Sequence, residues 1–84
     1  MQTNNQLIRS RLLEFACKRG KNKTFCPSEV ARSINPENWR ALMYSIRKEG
    51  NEMIKSNILF CTQKGEPADP MITKGPIRFG LLPK

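Results

Sequence analysis

The stretch NPENWRALMYSIRKEGNEMIKS, residues 35–56, decides how the rest of the chain is read. A single helix over it puts Trp39, Leu42, Met43, Ile46, Gly50, Met53 and Ile54 at three- and four-residue steps. That is the spacing of a core-facing stripe. At about 100° per residue, Arg40, Tyr44, Arg47, Lys48, Asn51 and Lys55 fall on an arc beside the stripe, and Glu49 and Glu52 project from the remaining side. A phosphate backbone facing that arc meets cations and hydrogen-bond donors and no carboxylate. Solubility alone accounts for Lys and Arg on an exposed helix. It does not account for the separation of the two glutamates from the cations.

Arg40, Arg47 and Asn51 are side chains that read base edges, Arg with guanine and Asn with adenine. Tyr44, Lys48 and Lys55 suit phosphate contacts, which position a protein without reading sequence. Trp39 opens the apolar stripe, so the expectation is a core anchor rather than a stacking platform. Gly50 falls inside the helix, where it costs about 1 kcal/mol relative to Ala. Two readings stand: close approach by the first helix, with the third helix continuous, or a break at this point. Continuity is the expectation.

Upstream, a first helix is predicted from Asn4 or Asn5, either able to cap it, to Arg19. Ile8, Leu12, Phe15 and Ala16 share one face, Leu7 and Leu13 flank it, and Gly20 supplies a left-handed stop. Lys18, Arg19, Lys21 and Lys23 form a basic loop. Thr24-Phe25 is too short for an independent strand but long enough to pair at a sheet edge. A second helix starts with Pro27 at its first position and ends near Ile34, burying Val30, Ala31 and Ile34. Asn35-Pro36 is the corner to the third helix, with Asn35 as its cap. Two helices meeting at so tight a corner read as a helix-turn-helix.

Downstream, Asn57 is a left-handed exit residue and Ile58–Gln63 reads as a strand. Lys64-Gly65 ends it, residues 66–75 are a loop, and Pro76–Leu82 returns as a strand with Ile77, Phe79 and Leu81 on one side and Arg78 on the other. The connection is long for a hairpin and reads as a wing. Lys64, Lys74 and Arg78 bracket its base and join the candidate nucleic-acid-binding residues, whereas Glu66 and Asp69 at its tip would repel phosphate. The predicted order is helix, edge segment, helix, helix, strand, wing, strand. It defines a mainly α, winged helix-turn-helix domain of three helices with a two- to three-stranded antiparallel sheet, over residues 1–84 with an ordered core of about 5–82.

The totals agree with a polyanion-binding module. Eighty-four residues suffice for one modest core, and fifteen Lys/Arg against seven Asp/Glu give a formal charge of +8. Such an excess attracts nucleic acid first, an anionic membrane surface second and an acidic protein third. No run reaches the 18 apolar residues of a membrane span, and the first residues lack a signal-peptide layout. Cys17, Cys26 and Cys61 are widely spaced and odd in number, and the chain has no His. A zinc site is therefore rejected, and reduced thiols in the cytoplasm fit best. A redox pair of Cys26 and Cys61 is an alternative to inert buried thiols, which are favoured. Without His or a paired carboxylate, catalysis is not expected and no cofactor is implied.

Several motifs carry a family resemblance: Thr24-Phe25-Cys26-Pro27-Ser28-Glu29-Val30-Ala31-Arg32, Trp39-Arg40-Ala41-Leu42-Met43, Thr62-Gln63-Lys64-Gly65, Asp69-Pro70 and Gly75-Pro76-Ile77-Arg78. In this order they resemble a small bacterial winged-helix family, domain of unknown function 3253. The resemblance implies a compact winged helix-turn-helix in a cytoplasmic protein and no particular function. The expected partner is double-stranded DNA, with the third helix in a major groove. The competing expectation is a protein-interaction module whose basic face meets an acidic protein, favoured by the lack of a dimerisation helix. An RNA-binding version comes third.

Overall fold

The structure, a computed structural model, describes residues 5–20 and 23–82. The alternative cap Asn4 and the loop residue Lys21 lie outside them. Helix α1 spans Asn5–Arg19 and buries Ile8, Leu12 and Ala16, which follow one another at four-residue steps. Gly20 ends it at φ 83°, its N–H donating to the Ala16 carbonyl over 3.0 Å. Strand β1 is the pair Thr24–Phe25 and lies at a sheet edge, as expected.

Helix α2 covers Pro27–Ile34. Its Glu29 side chain turns back to accept the Cys26 N–H over 2.8 Å, one half of a capping box, and also accepts from Arg19 of α1. Burial raises the Glu29 pKa, but the Cys26 N–H, the Arg19 hydrogen bond and the positive charges of Arg19 and Arg78 together hold it below the ordinary carboxylate value.

The third helix begins later than the sequence suggests. Residues after Asn35 bend, with the Asn35 side-chain oxygen accepting the Asn38 N–H over 3.2 Å. A 3-10 turn over Trp39–Leu42 follows, and only then α3, Met43–Lys55. Asn and Pro at the corner favour a turn closed by the Asn side chain over immediate helix entry. From Met43 onward α3 runs unbroken through Gly50. The reason for that glycine is close approach, but by the sheet rather than by α1. A Cβ at Gly50 would stand 2.4 Å from Cζ of Phe79, a ring with no exposed surface.

Helix α3 ends in a Schellman motif: Asn57 adopts φ 62°, its N–H reaches the Ile54 carbonyl, and the Ile58 N–H reaches that of Met53. Strand β2 is Leu59–Gln63, β3 is Glu66–Pro67 and β4 is Arg78–Leu81. They form a four-stranded antiparallel sheet with β1 in the order β1-β4-β2-β3, one strand more than expected. The extra strand arises because Lys64 and Gly65, at φ 54° and 83°, make a two-residue hairpin turn that sends the chain back to pair Gln63 with Glu66. Phe25 and Cys61 flank Phe79 in register, and the Phe25 and Phe79 rings lie 6.2 Å apart. The core is the layer where the inner faces of α1, α2 and α3 meet this sheet at Ile8, Leu12, Phe25, Val30, Ile46, Leu59, Ile77 and Phe79. Each such side chain contributes about 1.5–3 kcal/mol by leaving water. Three helices, one helix-turn-helix corner and a small antiparallel sheet make a winged-helix-like domain that is mainly helical.

Candidate nucleic-acid interface

The outward side of α3 carries the site. Ile46, Glu49, Gly50 and Met53 face inward, which leaves Tyr44, Lys48 and Lys55 exposed and Asn51 half-buried on the opposite side. Tyr44 is 67% exposed, too far into solvent to be a core residue. Arg40 is exposed as well, but it belongs to the 3-10 turn before α3 and lies 4.5 Å from the centre of the Trp39 ring. Arg32 of α2 occupies the same ring at the same distance. Trp39 itself is half-buried and packs against the core, as its place in the apolar stripe implied.

Arg47 does not belong to that exposed arc. It turns to the loop joining β3 to β4 and donates to three backbone carbonyls: Thr73 at 2.9 Å, Pro70 at 3.3 Å and Gly75 at 2.7 Å. From the opposite edge of the loop, the Gln63 side-chain amide donates to the carbonyls of Lys74 and Pro76. The loop is thus tied to α3 and β2 rather than projecting as a free wing. The carbonyls of its irregular backbone need donor partners, and a periodicity argument about α3 has no way to see that need.

Arg78 is likewise engaged. Its Nε donates to the Thr24 hydroxyl, Nη2 to the Thr24 carbonyl and Nη1 to the Cys26 sulfur, pinning β1 to β4. Lys64 stands exposed at the hairpin tip and Lys74 exposed on the tethered loop. These two cations keep the outward position foreseen for the wing base.

The glutamates divide. Glu49 is buried and pairs with Arg9 of α1 over 3.0 Å, well away from the cationic side. Glu52 is exposed at the margin of the arc and pairs with Lys55 over 3.4 Å, so one carboxylate does border the site. Cys61 is buried, and that burial is the main cause raising its thiol pKa to about 11; the nearby Arg47 charge opposes the rise and Asp69 adds to it. Cys17 is exposed and all three thiols are free.

What sequence reasoning missed is Arg32, whose meeting with Trp39 and Arg40 depends on how α2 and the 3-10 turn are joined. The apolar residues Met71 and Ile72 were also missed; they stand exposed on the loop that Arg47 holds, Ile72 at 78%.

With this geometry in place, the family can be stated. The model of the family described as Protein of unknown function (DUF3253) matches residues 5–82, so the chain belongs to that family. No curated protein matches it. Among the described residues, no helix is long and apolar enough to cross a membrane.

Proposed function

We propose that this chain is a small DNA-binding protein that presents α3 to a major groove of duplex DNA. The observation that carries the reading is the outward row of Tyr44, Lys48, Asn51 and Lys55, continued by Arg40, with Glu52 at its border paired to Lys55 and Glu37 exposed just before Arg40. A helix lying in the groove needs a base-edge reader flanked by cations for phosphates. Asn51 is the base-edge residue of this row, and Lys48 and Lys55 are its phosphate contacts. Lys64 and Lys74 extend the contact to the neighbouring backbone. A role in transcription is the natural use of such a module, and it rests on analogy between folds.

The test is an anisotropy titration of a labelled mixed-sequence duplex across a sodium chloride series. Four phosphate contacts give a slope of log affinity on log salt of about −3.6. Lys48→Glu with Lys55→Glu should abolish binding without unfolding the protein. Unchanged affinity in that double variant would remove α3 from the interface.

A second reading is a protein-interaction module with an acidic partner. Met71 and Ile72 favour it, because an exposed apolar pair on a tethered loop gives a phosphate backbone nothing to hold. No association with duplex at low salt would select this reading.

A further inference from the structure

The seven arginines of the chain fall into two groups. Arg9 pairs with Glu49, Arg11 bonds Ser33, Arg19 bonds Glu29 and Thr24, Arg47 holds the loop and Arg78 holds β1. Each of these five places its donors on acceptors within the protein. Arg32 and Arg40 differ. Both guanidiniums lie 4.5 Å from the Trp39 ring centre, so they stand no further apart than twice that distance. Among the described residues, neither forms an ion pair or a hydrogen bond; Glu37, in the same turn, reaches neither of them.

A contact with an aromatic face steadies a guanidinium through its charge and uses none of its N–H donors. Two like charges are thus gathered on one ring, with the donors of both unsatisfied by protein. The ligand such a pair fits is a tetrahedral oxyanion, whose several oxygens can accept forked N–H pairs from two guanidiniums at once. The pair stands at the amino-terminal approach to α3, in line with Tyr44 and Lys48 one and two turns further on.

We propose that Arg32 and Arg40, gathered on Trp39, form a clamp for one backbone phosphodiester of the duplex. This inference rests on the DNA-binding reading and gives Arg40 a phosphate contact in place of a base edge. It adds Arg32 and Trp39 to the site. Because the contact is to the backbone, it strengthens binding to all sequences alike and carries no discrimination among them.

Trp39 is the only tryptophan of the chain, so its emission reports directly on the clamp. The full-length protein is titrated with a labelled 20-base-pair mixed duplex, with anisotropy and Trp39 emission recorded together over a salt series. Arg32→Gln, Arg40→Gln and Trp39→Phe are then compared by anisotropy, with thermal melting as the control for folding. The expected result is an emission change that tracks binding, and a shallower salt slope in each arginine variant, the two losses together amounting to about the 0.9 of one phosphate. Affinity should fall several-fold, equally for unrelated duplex sequences. Binding that leaves Trp39 emission, the slope and the affinity of the Arg32 and Arg40 variants unchanged would overturn the clamp and leave the α3 reading standing. If wild-type protein does not bind the duplex at low salt, both fall.

Discussion

Replacing Arg47 separates a base-reading residue from a structural one. Its guanidinium makes two short bonds, to Thr73 and Gly75, and a longer one to Pro70. Hydrogen bonds to a charged group contribute about 1.5–3 kcal/mol each. The Arg47 side chain is only half-buried, so water can reach part of the loop, and the lower end of that range applies to the two short bonds. The third, at 3.3 Å, adds little. Arg47→Met keeps the aliphatic stem and removes the donors, and should therefore destabilise the protein by about 2–3 kcal/mol. In a domain of this size that is a drop in melting temperature of roughly 8–24 °C. Urea denaturation gives the free energy, and amide exchange should show Ile72 and Thr73, whose N–H groups bond the Asp69 carbonyl, losing protection before the strands do. Arg47→Lys retains the charge but cannot span carbonyls on both sides, so it should recover only part of the loss. The reasoning is refuted if Arg47→Met melts like the wild type while losing preference among DNA sequences. That outcome would return Arg47 to the base-reading role its place on the helix suggested.

Three further outcomes are expected. Gly50→Ala gains about 1 kcal/mol of helix propensity, but it drives a Cβ to within 2.4 Å of a buried ring that has nowhere to retreat; net destabilisation of about 1–2 kcal/mol in urea melts is expected, relieved when Phe79→Leu is added. The folded Glu29 carboxyl titrates below its ordinary value, so its contribution is present above that value and is lost as pH falls through the depressed one. Glu29→Gln should be less stable than wild type at pH 7 and indistinguishable from it once the wild-type carboxyl is protonated. With a thiol pKa of about 11 and only 5% of its surface exposed, Cys61 should resist a thiol reagent at pH 8 until the protein unfolds, whereas exposed Cys17 reacts at once.

Much of the fold was readable in local pattern. The stripe Ile8, Leu12, Ala16, the stop at Gly20, Pro27 at the first position of α2 and the exit at Asn57 each follow from one or two residues acting on their own backbone. Thr24-Phe25 was recognisable as an edge pair for the same reason. Less local features escaped. The delay in helix entry after Asn35 is a contest between a side-chain-closed turn and a capped helix, and periodicity does not decide it. Lys64-Gly65 reads as a strand end in the sequence because the prolines and glycines of residues 65–75 mark a loop, and Pro67 is one of them. Yet β3 is an outer strand, where a missing N–H matters little.

In the candidate site, the helical arc was legible for Tyr44, Lys48, Asn51 and Lys55. It was not legible for Arg47 and Arg78, whose positions are decided by the carbonyls of distant loops and strands. A helical wheel reports direction, and a side chain as long as arginine reaches for carbonyls that lack donors. The Trp39 ring brings Arg32 together with Arg40, a neighbour relation that seven intervening residues conceal.

The sheet order β1-β4-β2-β3 sets Arg78–Leu81 between strands that precede it in the chain. A ribosome making this chain must therefore extrude residues 78–81 before the middle of the sheet can be filled. Until then Phe25 and Cys61 lack the Phe79 partner that they share, and Gly50 presents an empty notch where the Phe79 ring will sit. Nascent chains stalled before residue 78 should engage chaperones, and release of the final strand should convert them in one cooperative step.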